Sequence, residues 1–183
     1  IYESRQSEFV AVCGRRRVGK TFLVREYFEQ EMVFQTSGLA GGNTQEQLKN
    51  FFYTLRRYDR NVTSVPHDWL DAFEMLITYL DSLNGIERKV VFLDELPWMD
   101  TAGSNFISAL EHFWNGWASA RRDIVLIVCG SATSWMMDKL INNHGGLYGR
   151  LTHRLFLQPF SLGESEAFLK TKGTVSYTHL RAH

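Results

Sequence analysis

The apolar, strand-type run Phe9-Val10-Ala11-Val12-Cys13 leads straight into Gly14-Arg15-Arg16-Arg17-Val18-Gly19-Lys20-Thr21, and Phe22 to Phe28 then carries apolar residues at helical spacing. The middle stretch reads G-x-x-x-x-G-K-[ST], and strand, glycine-bearing loop, helix is the order in which that spacing cradles phosphate. Its glycines let the backbone curl until successive N–H groups point inward, towards the crowded anionic oxygens of a nucleoside triphosphate. Lys20 then reaches the β- and γ-phosphates, and the Thr21 hydroxyl has the size and polarity of one oxygen ligand of Mg²⁺. The helix that starts here aims the positive end of its dipole at the same anion. The nucleotide-contacting set read from this stretch is Gly14, Arg15, Arg16, Arg17, Val18, Gly19, Lys20, Thr21 and Phe22.

A loop of this kind needs a sheet behind it, and the rest of the chain supplies one. Met32 to Thr36, Arg88 to Leu93, Asp123 to Cys129 and His153 to Leu157 read as further strands. Between them, Thr44 to Tyr58, Asp68 to Asn84, Asn105 to about Ala120 and Ala132 to about Asn142 read as helices, with the first helix running from Lys20 to about Gln30 and a last one starting at Gly163. The helix after Asp68 is expected to bury Leu70, Phe73, Leu76, Ile77 and Leu80. Phe106, Ile107, Leu110, Phe113, Trp114 and Trp117 read as core of the next rather than as a platform for stacked bases. Strands alternating with helices imply a three-layer α/β fold, a parallel sheet with helices on both faces.

Binding phosphate is not hydrolysing it. Val90-Val91-Phe92-Leu93-Asp94-Glu95 adds the missing chemistry, an apolar strand delivering two carboxylates at its C-terminal end, where open α/β sheets bind ligands. Successive strand residues face opposite ways, so Asp94 can serve the metal while Glu95 orients and activates the attacking water. Ser131 follows the next buried strand, where its hydroxyl could sense the γ-phosphate or simply form a turn. Arg150, in the glycine-containing stretch 145–150, could serve the transition state or pair with a local carboxylate, and Arg154 reads as a surface residue. Arg15, Arg16 and Arg17 fit phosphate screening or contact with a second domain better than a nucleic-acid surface.

Bulk composition narrows the class. Lys and Arg number 20 and Asp and Glu number 20, a balance that gives no support to DNA as a partner or to a membrane surface. The apolar runs are too short to span a bilayer. Cys13 and Cys129 form no disulfide framework or metal box, and a reducing cytoplasm is the expected setting, with both thiols acting as small buried hydrophobes.

These motifs, together with Leu96-Pro97-Trp98, Cys129-Gly130-Ser131-Ala132, Leu147-Tyr148-Gly149-Arg150 and Pro159-Phe160, resemble the archaeal-type ATPases of bacteria and archaea, in the STAND branch related to AAA+ proteins. The resemblance covers roughly residues 8–169. It implies a P-loop NTPase fold of the additional-strand type with sheet order 5-1-4-3-2, so that the strands ending at Cys13 and Cys129 are neighbours. It also implies ATP rather than GTP, Glu95 as catalytic base and Ser131 as sensor. Relatives carry a helical lid and often a further C-terminal effector domain, sometimes nuclease-like, and a homo-oligomer is open as well. The upstream box that helps hold adenine in such proteins is not read in the residues before Gly14.

The expected organisation is a P-loop ATPase core over residues 1–160, the start of a helical lid over 161–173, and a non-native tail over 174–183. The chain begins at Ile1 rather than Met and reads as a piece truncated at both ends. Ser176 to His183 resembles the in-frame translation of a sequencing-library adapter, so His179 and His183 are not ligand candidates. The expected activity is Mg²⁺-dependent ATP hydrolysis coupled to conformational change. The alternative is a nucleotide-operated signalling or DNA-associated switch with little intrinsic hydrolysis. A small-molecule kinase is disfavoured by Asp94-Glu95, since a kinase has no use for a water-activating glutamate.

Overall fold

The computed structural model describes residues 6–131, 133–142 and 146–171. In chain order the elements are β1 (Glu8–Gly14), α1 (Lys20–Tyr27), β2 (Met32–Ser37), α2 (Thr44–Tyr58), α3 (Trp69–Ser82), β3 (Lys89–Asp94), α4 (Phe106–Gly116), β4 (Ile124–Gly130), α5 (Thr133–Met136), β5 (His153–Leu157) and α6 (Leu162–Thr171). The sheet order is β2-β3-β4-β1-β5, with every neighbouring pair parallel. Read from the other edge this is 5-1-4-3-2. Val12 pairs with Cys129 and Cys13 with Gly130, so the two cysteine-bearing strands are neighbours.

Alternation along the strands creates the layers. Val10, Val12, Val90, Phe92, Val125 and Ile127 face Val24 of α1 and Phe28 just after it on one side. Phe9, Ala11, Val91, Leu93, Leu126 and Val128 face the other way, into a larger core with α2, α3 and α4. The middle strands β1, β3 and β4 are therefore buried almost end to end, whereas β5 at the edge is exposed along most of its length. No helix among the described residues is long and apolar enough to cross a membrane.

Local chemistry sets several boundaries. Asn43 and Glu46 form a reciprocal capping box that starts α2 at Thr44 (Glu46 N to Asn43 Oδ1 3.1 Å, Asn43 N to Glu46 Oε2 2.8 Å). Asp68 caps α3 by accepting from Asp71 N at 2.9 Å. At the N-terminal end of the sheet, buried Lys89 pairs with Asp123 at 3.1 Å and also donates to Leu80 O at 3.0 Å.

The structure corrects four sequence expectations. Helix α1 ends at Tyr27 rather than Gln30, with Phe28 leaving helical geometry and folding into the sheet-facing core. Helix α4 stops at Gly116, and Ala118–Ala120 forms a separate 3-10 turn. The helix after β4 switches at Met137 to a π-helical turn through Ile141, while Ala132 and residues 143–145 lie outside the described residues. The buried face of α3 is Trp69, Ala72, Phe73, Leu76, Tyr79 and Leu80, with Leu70 49 % exposed and Ile77 only partly buried. Trp69 decides that rotation: its ring packs between Phe51 (5.7 Å) and Phe106 (4.8 Å). Phe106, Phe113 and Trp114 are core, as expected.

Candidate nucleotide site

Among the described residues, Lys20, Thr21, Asp94, Glu95 and Ser131 gather at the C-terminal ends of β1, β3 and β4. The loop after β1 turns on Gly14, at φ +150°, where a Cβ would stand 2.5 Å from the carbonyl oxygen of Leu157 on β5. Only glycine fits between those strands. The loop closes at Gly19, φ +89°, which caps α1, and Arg17 is itself left-handed at φ 65°. Lys20 is 6 % exposed, and its ammonium donates to the carbonyls of Gly14 (2.9 Å) and Arg15 (2.8 Å). Its charge is thus held inside the curl of the loop.

The acidic end of β3 meets that loop directly. Thr21 Oγ1 donates to Asp94 Oδ2 at 2.7 Å, and Asp94 Oδ1 accepts from the Glu95 backbone N–H at 2.9 Å. Among the described residues no group of three or more His, Cys, Asp or Glu could hold a metal ion alone. The hydroxyl and carboxylate brought together are hard oxygen donors, the kind Mg²⁺ uses alongside phosphate oxygens and water.

Glu95 adopts a left-handed conformation, φ 47° and ψ 44°, at the start of the 3-10 turn Leu96–Trp98. A β-substituted residue held there is under backbone strain, and neighbouring elements enforce it. Gly38 N donates to Asp94 O at 3.0 Å, and a Cβ on Gly38 would lie 2.6 Å from Glu95 O. On the other flank a Cβ on Gly130 would be 2.9 Å from Pro97 Cδ. The ends of β2 and β4 therefore clamp the Asp94–Glu95 corner. The Glu95 carboxylate accepts from Ser131 Oγ at 3.2 Å, and Ser131 Oγ accepts from Arg16 Nε at 3.5 Å.

Burial drives the Cys129 thiol far above its ordinary range, and the negative charge of Asp94 pushes it further. Cys13 is also raised by burial, with Lys20 pulling the other way. Both sulfurs stay protonated at neutral pH and act as packing groups.

Two parts of this arrangement were not evident from the sequence. The first is the pair of clamping glycines, Gly38 and Gly130. The second is a cleft of ≈ 870 Å³ running from Arg15, Arg16 and Arg17 past Phe22 to Pro159, Phe160 and Phe168. Pro159-Phe160 stands among the recognisable motifs, but nothing in their spacing announces a wall. Arg150 is exposed, its backbone N–H closing a turn on Leu147 O at 3.1 Å. Among the described residues no hydrogen bond or ion pair ties its side chain to Lys20, Asp94, Glu95 or Ser131.

A family described as the AAA domain matches residues 6–166 of the chain. The chain belongs to the AAA domain family. An uncharacterised protein of Methanocaldococcus jannaschii is 25 % identical over 166 residues, covering 91 % of this chain and 34 % of that protein. The fold is similar to a Walker-type ATPase of Pyrococcus abyssi (TM-score 0.66, 19 % identity, 89 % of this chain and 52 % of that one). It is also similar to the ORC2 protein of Aeropyrum pernix in its ADP form (TM-score 0.56, 18 % identity, 93 % of this chain and 46 % of that one). The chain thus spans about a third of the curated relative and about half of each solved chain. This AAA domain has the three-layer parallel α/β fold, with a phosphate-type loop after its first strand.

Proposed function

We propose that Gly14, Gly19, Lys20 and Thr21 bind the triphosphate of ATP and that Glu95 activates the water that cleaves it. The observation that carries this reading is the 2.7 Å hydrogen bond from Thr21 to Asp94, which ties the phosphate loop to the acidic end of a strand 73 residues away. Mg²⁺ would be held by Thr21 Oγ1 and Asp94, and when bound it supplies neutralising charge at the β- and γ-phosphate oxygens. Lys20 adds its ammonium to the same oxygens, exchanging the carbonyls of Gly14 and Arg15 for stronger anionic acceptors. Glu95 accepts the proton of the attacking water, and Ser131, bonded to that carboxylate, reports whether the γ-phosphate is there.

The wide cleft supplies a place for the base. Phe22 and Phe160 offer flat apolar surface at 56 % and 62 % exposure, and Phe168 brings in α6. Adenine stacked there would bridge the core and α6, the first helix of a lid, and so convert nucleotide state into movement of whatever follows. This is the behaviour expected of a STAND-type module. The core supplies the energy step, and a longer polypeptide, like those of the relatives, supplies the effector.

Lys20→Ala and Glu95→Gln separate binding from chemistry. Glu95→Gln should keep ATP affinity within about twofold while lowering single-turnover hydrolysis roughly 10²–10⁴-fold, the usual worth of a general base. Hydrolysis at the parental rate in Glu95→Gln would remove Glu95 from the mechanism. A second reading, a switch that hydrolyses slowly, is favoured by the Ser131 hydrogen bond that occupies the Glu95 carboxylate. Stimulation of single-turnover hydrolysis by a partner or by DNA would favour that reading.

A further inference from the structure

A polar path links the phosphate loop to the acidic corner across a long stretch of sequence. Arg16 Nε donates to Ser131 Oγ, 115 residues later, at 3.5 Å, and Ser131 Oγ donates to Glu95 Oε2 at 3.2 Å. Among the described residues, Arg16 is the loop arginine whose side chain hydrogen-bonds at this corner. Arg15 offers its carbonyl to Lys20, and Arg17 sits in a left-handed turn at φ 65°.

The γ-phosphoryl group has to lie between the Lys20 ammonium and the water that Glu95 orients. A guanidinium one hydrogen bond from Ser131, and two from Glu95, stands beside the carboxylate that orients that water. We propose that Arg16 is an arginine supplied in cis to the transition state, contacting the γ-phosphoryl oxygens from the Ser131 side. This rests on the reading of Glu95 as the base. In the step itself the water oxygen forms a bond to the γ-phosphorus as the bond to the bridging oxygen breaks. The electron pair of the broken bond leaves on ADP, and the proton of the water goes to Glu95. Arg16 gains and loses no proton, because a guanidinium stays charged throughout. Its contribution is charge placed where the equatorial oxygens need it.

Physical economy favours this arginine over Arg150. Arg16 belongs to the loop that binds the phosphates, so seating ATP already orders its backbone and leaves only side-chain torsions to fix. A planar fork can also bond two oxygens at once, which a lysine at that position could not.

The test uses the full chain with Mg²⁺ and ATP, comparing wild type with Arg16→Ala, Arg16→Lys, Arg150→Ala and Glu95→Gln. Arg16→Ala should slow single-turnover hydrolysis roughly 10³-fold, the lower end of the range known for such arginines. ATP affinity should change only a few-fold, Arg16→Lys should recover little, and added guanidinium ion should restore part of the rate to Arg16→Ala. A second measurement does not depend on turnover: affinity for ADP with aluminium fluoride, a mimic of the transferring phosphoryl group, against affinity for ADP alone. Arg16→Ala should erase most of the preference for the fluoride complex. An unchanged preference, wild-type turnover in Arg16→Ala beside an inactive Glu95→Gln, or loss with Arg150→Ala but not Arg16→Ala would each overturn the inference and leave Glu95 in place. Parental turnover in Glu95→Gln would instead bring down the reading beneath it.

Discussion

The acidic corner beside the phosphate loop and the apolar surface near β5 are built on opposite principles. At the phosphate end, Lys20 and Asp94 are 6 % and 8 % exposed, their polar atoms are bonded, and two glycines leave no room for a methyl group beside the acidic corner. At the other end, β5, Phe160 and Leu162 lie on the surface, and Leu162 is 91 % exposed. Geometry at the first end is fixed before any ligand arrives, which is where catalysis needs fixed dipoles and charges. The second end is apolar surface still in water, and it gains most from being covered. Fixed charge and open apolar surface are thus kept apart in this domain.

Substitutions should separate the two. The largest effect on binding belongs to Lys20→Ala, which should weaken ATP binding roughly 100-fold, about what losing charge-assisted hydrogen bonds to phosphate costs. Titration calorimetry with a non-hydrolysable analogue measures it, and a loss below tenfold would show that the phosphate end is less decisive than its burial implies. Next comes Gly38→Ala. With Glu95 O in the way, the corner must shift, so the variant should lose about 1–3 kcal/mol of stability in urea unfolding and turn over more slowly, with ATP affinity nearly unchanged.

Asp123 tests the sheet from its other margin. Its hydrogen bonds with Arg121, and then with Lys89, hold its carboxyl down to about 2 against an ordinary 3.8. Because the folded value is the lower one, the stability this pair gives is complete above about pH 4 and is lost as pH falls towards 2. The loss should be about 1–2 kcal/mol after allowance for solvent screening, and Asp123→Asn should flatten it in a pH series of thermal melts. The smallest effect is expected at the open end. Phe160→Ala should weaken ATP binding about threefold to tenfold, the worth of one exposed stacking contact, while leaving unfolding within about 0.5 kcal/mol of wild type. If Phe160→Ala instead cost as much stability as Gly38→Ala, the contrast between the two ends would fail.

What could be read in the sequence and what could not divide along physical lines. The loop from Gly14 to Thr21 and the Asp94-Glu95 pair announce themselves because each is a short stretch whose residues act together. The burial of the middle strands also follows, because such strands carry continuous apolar runs such as Ile124 to Cys129, whereas their order came only from the resemblance to a family. The phase of α3 did not, since Trp69 and Leu70 are adjacent apolar residues and helical period alone allows either to face inward. Packing against Phe51 and Phe106 chose Trp69. Gly38 and Gly130 look like ordinary turn formers until β3 is laid between them. The link from Arg16 to Ser131 joins residues from opposite halves of the chain, and no local pattern encodes it.

The seam between Gly14 and Leu157 has a mechanical consequence. These residues are register partners in adjacent strands, with backbone so close that no side chain can intervene, and Leu157 is followed within five residues by α6. A pull on α6 would thus meet the first residue of the phosphate loop at this backbone contact. Force need not travel through the bulk of the domain: the drive shaft is two residues wide.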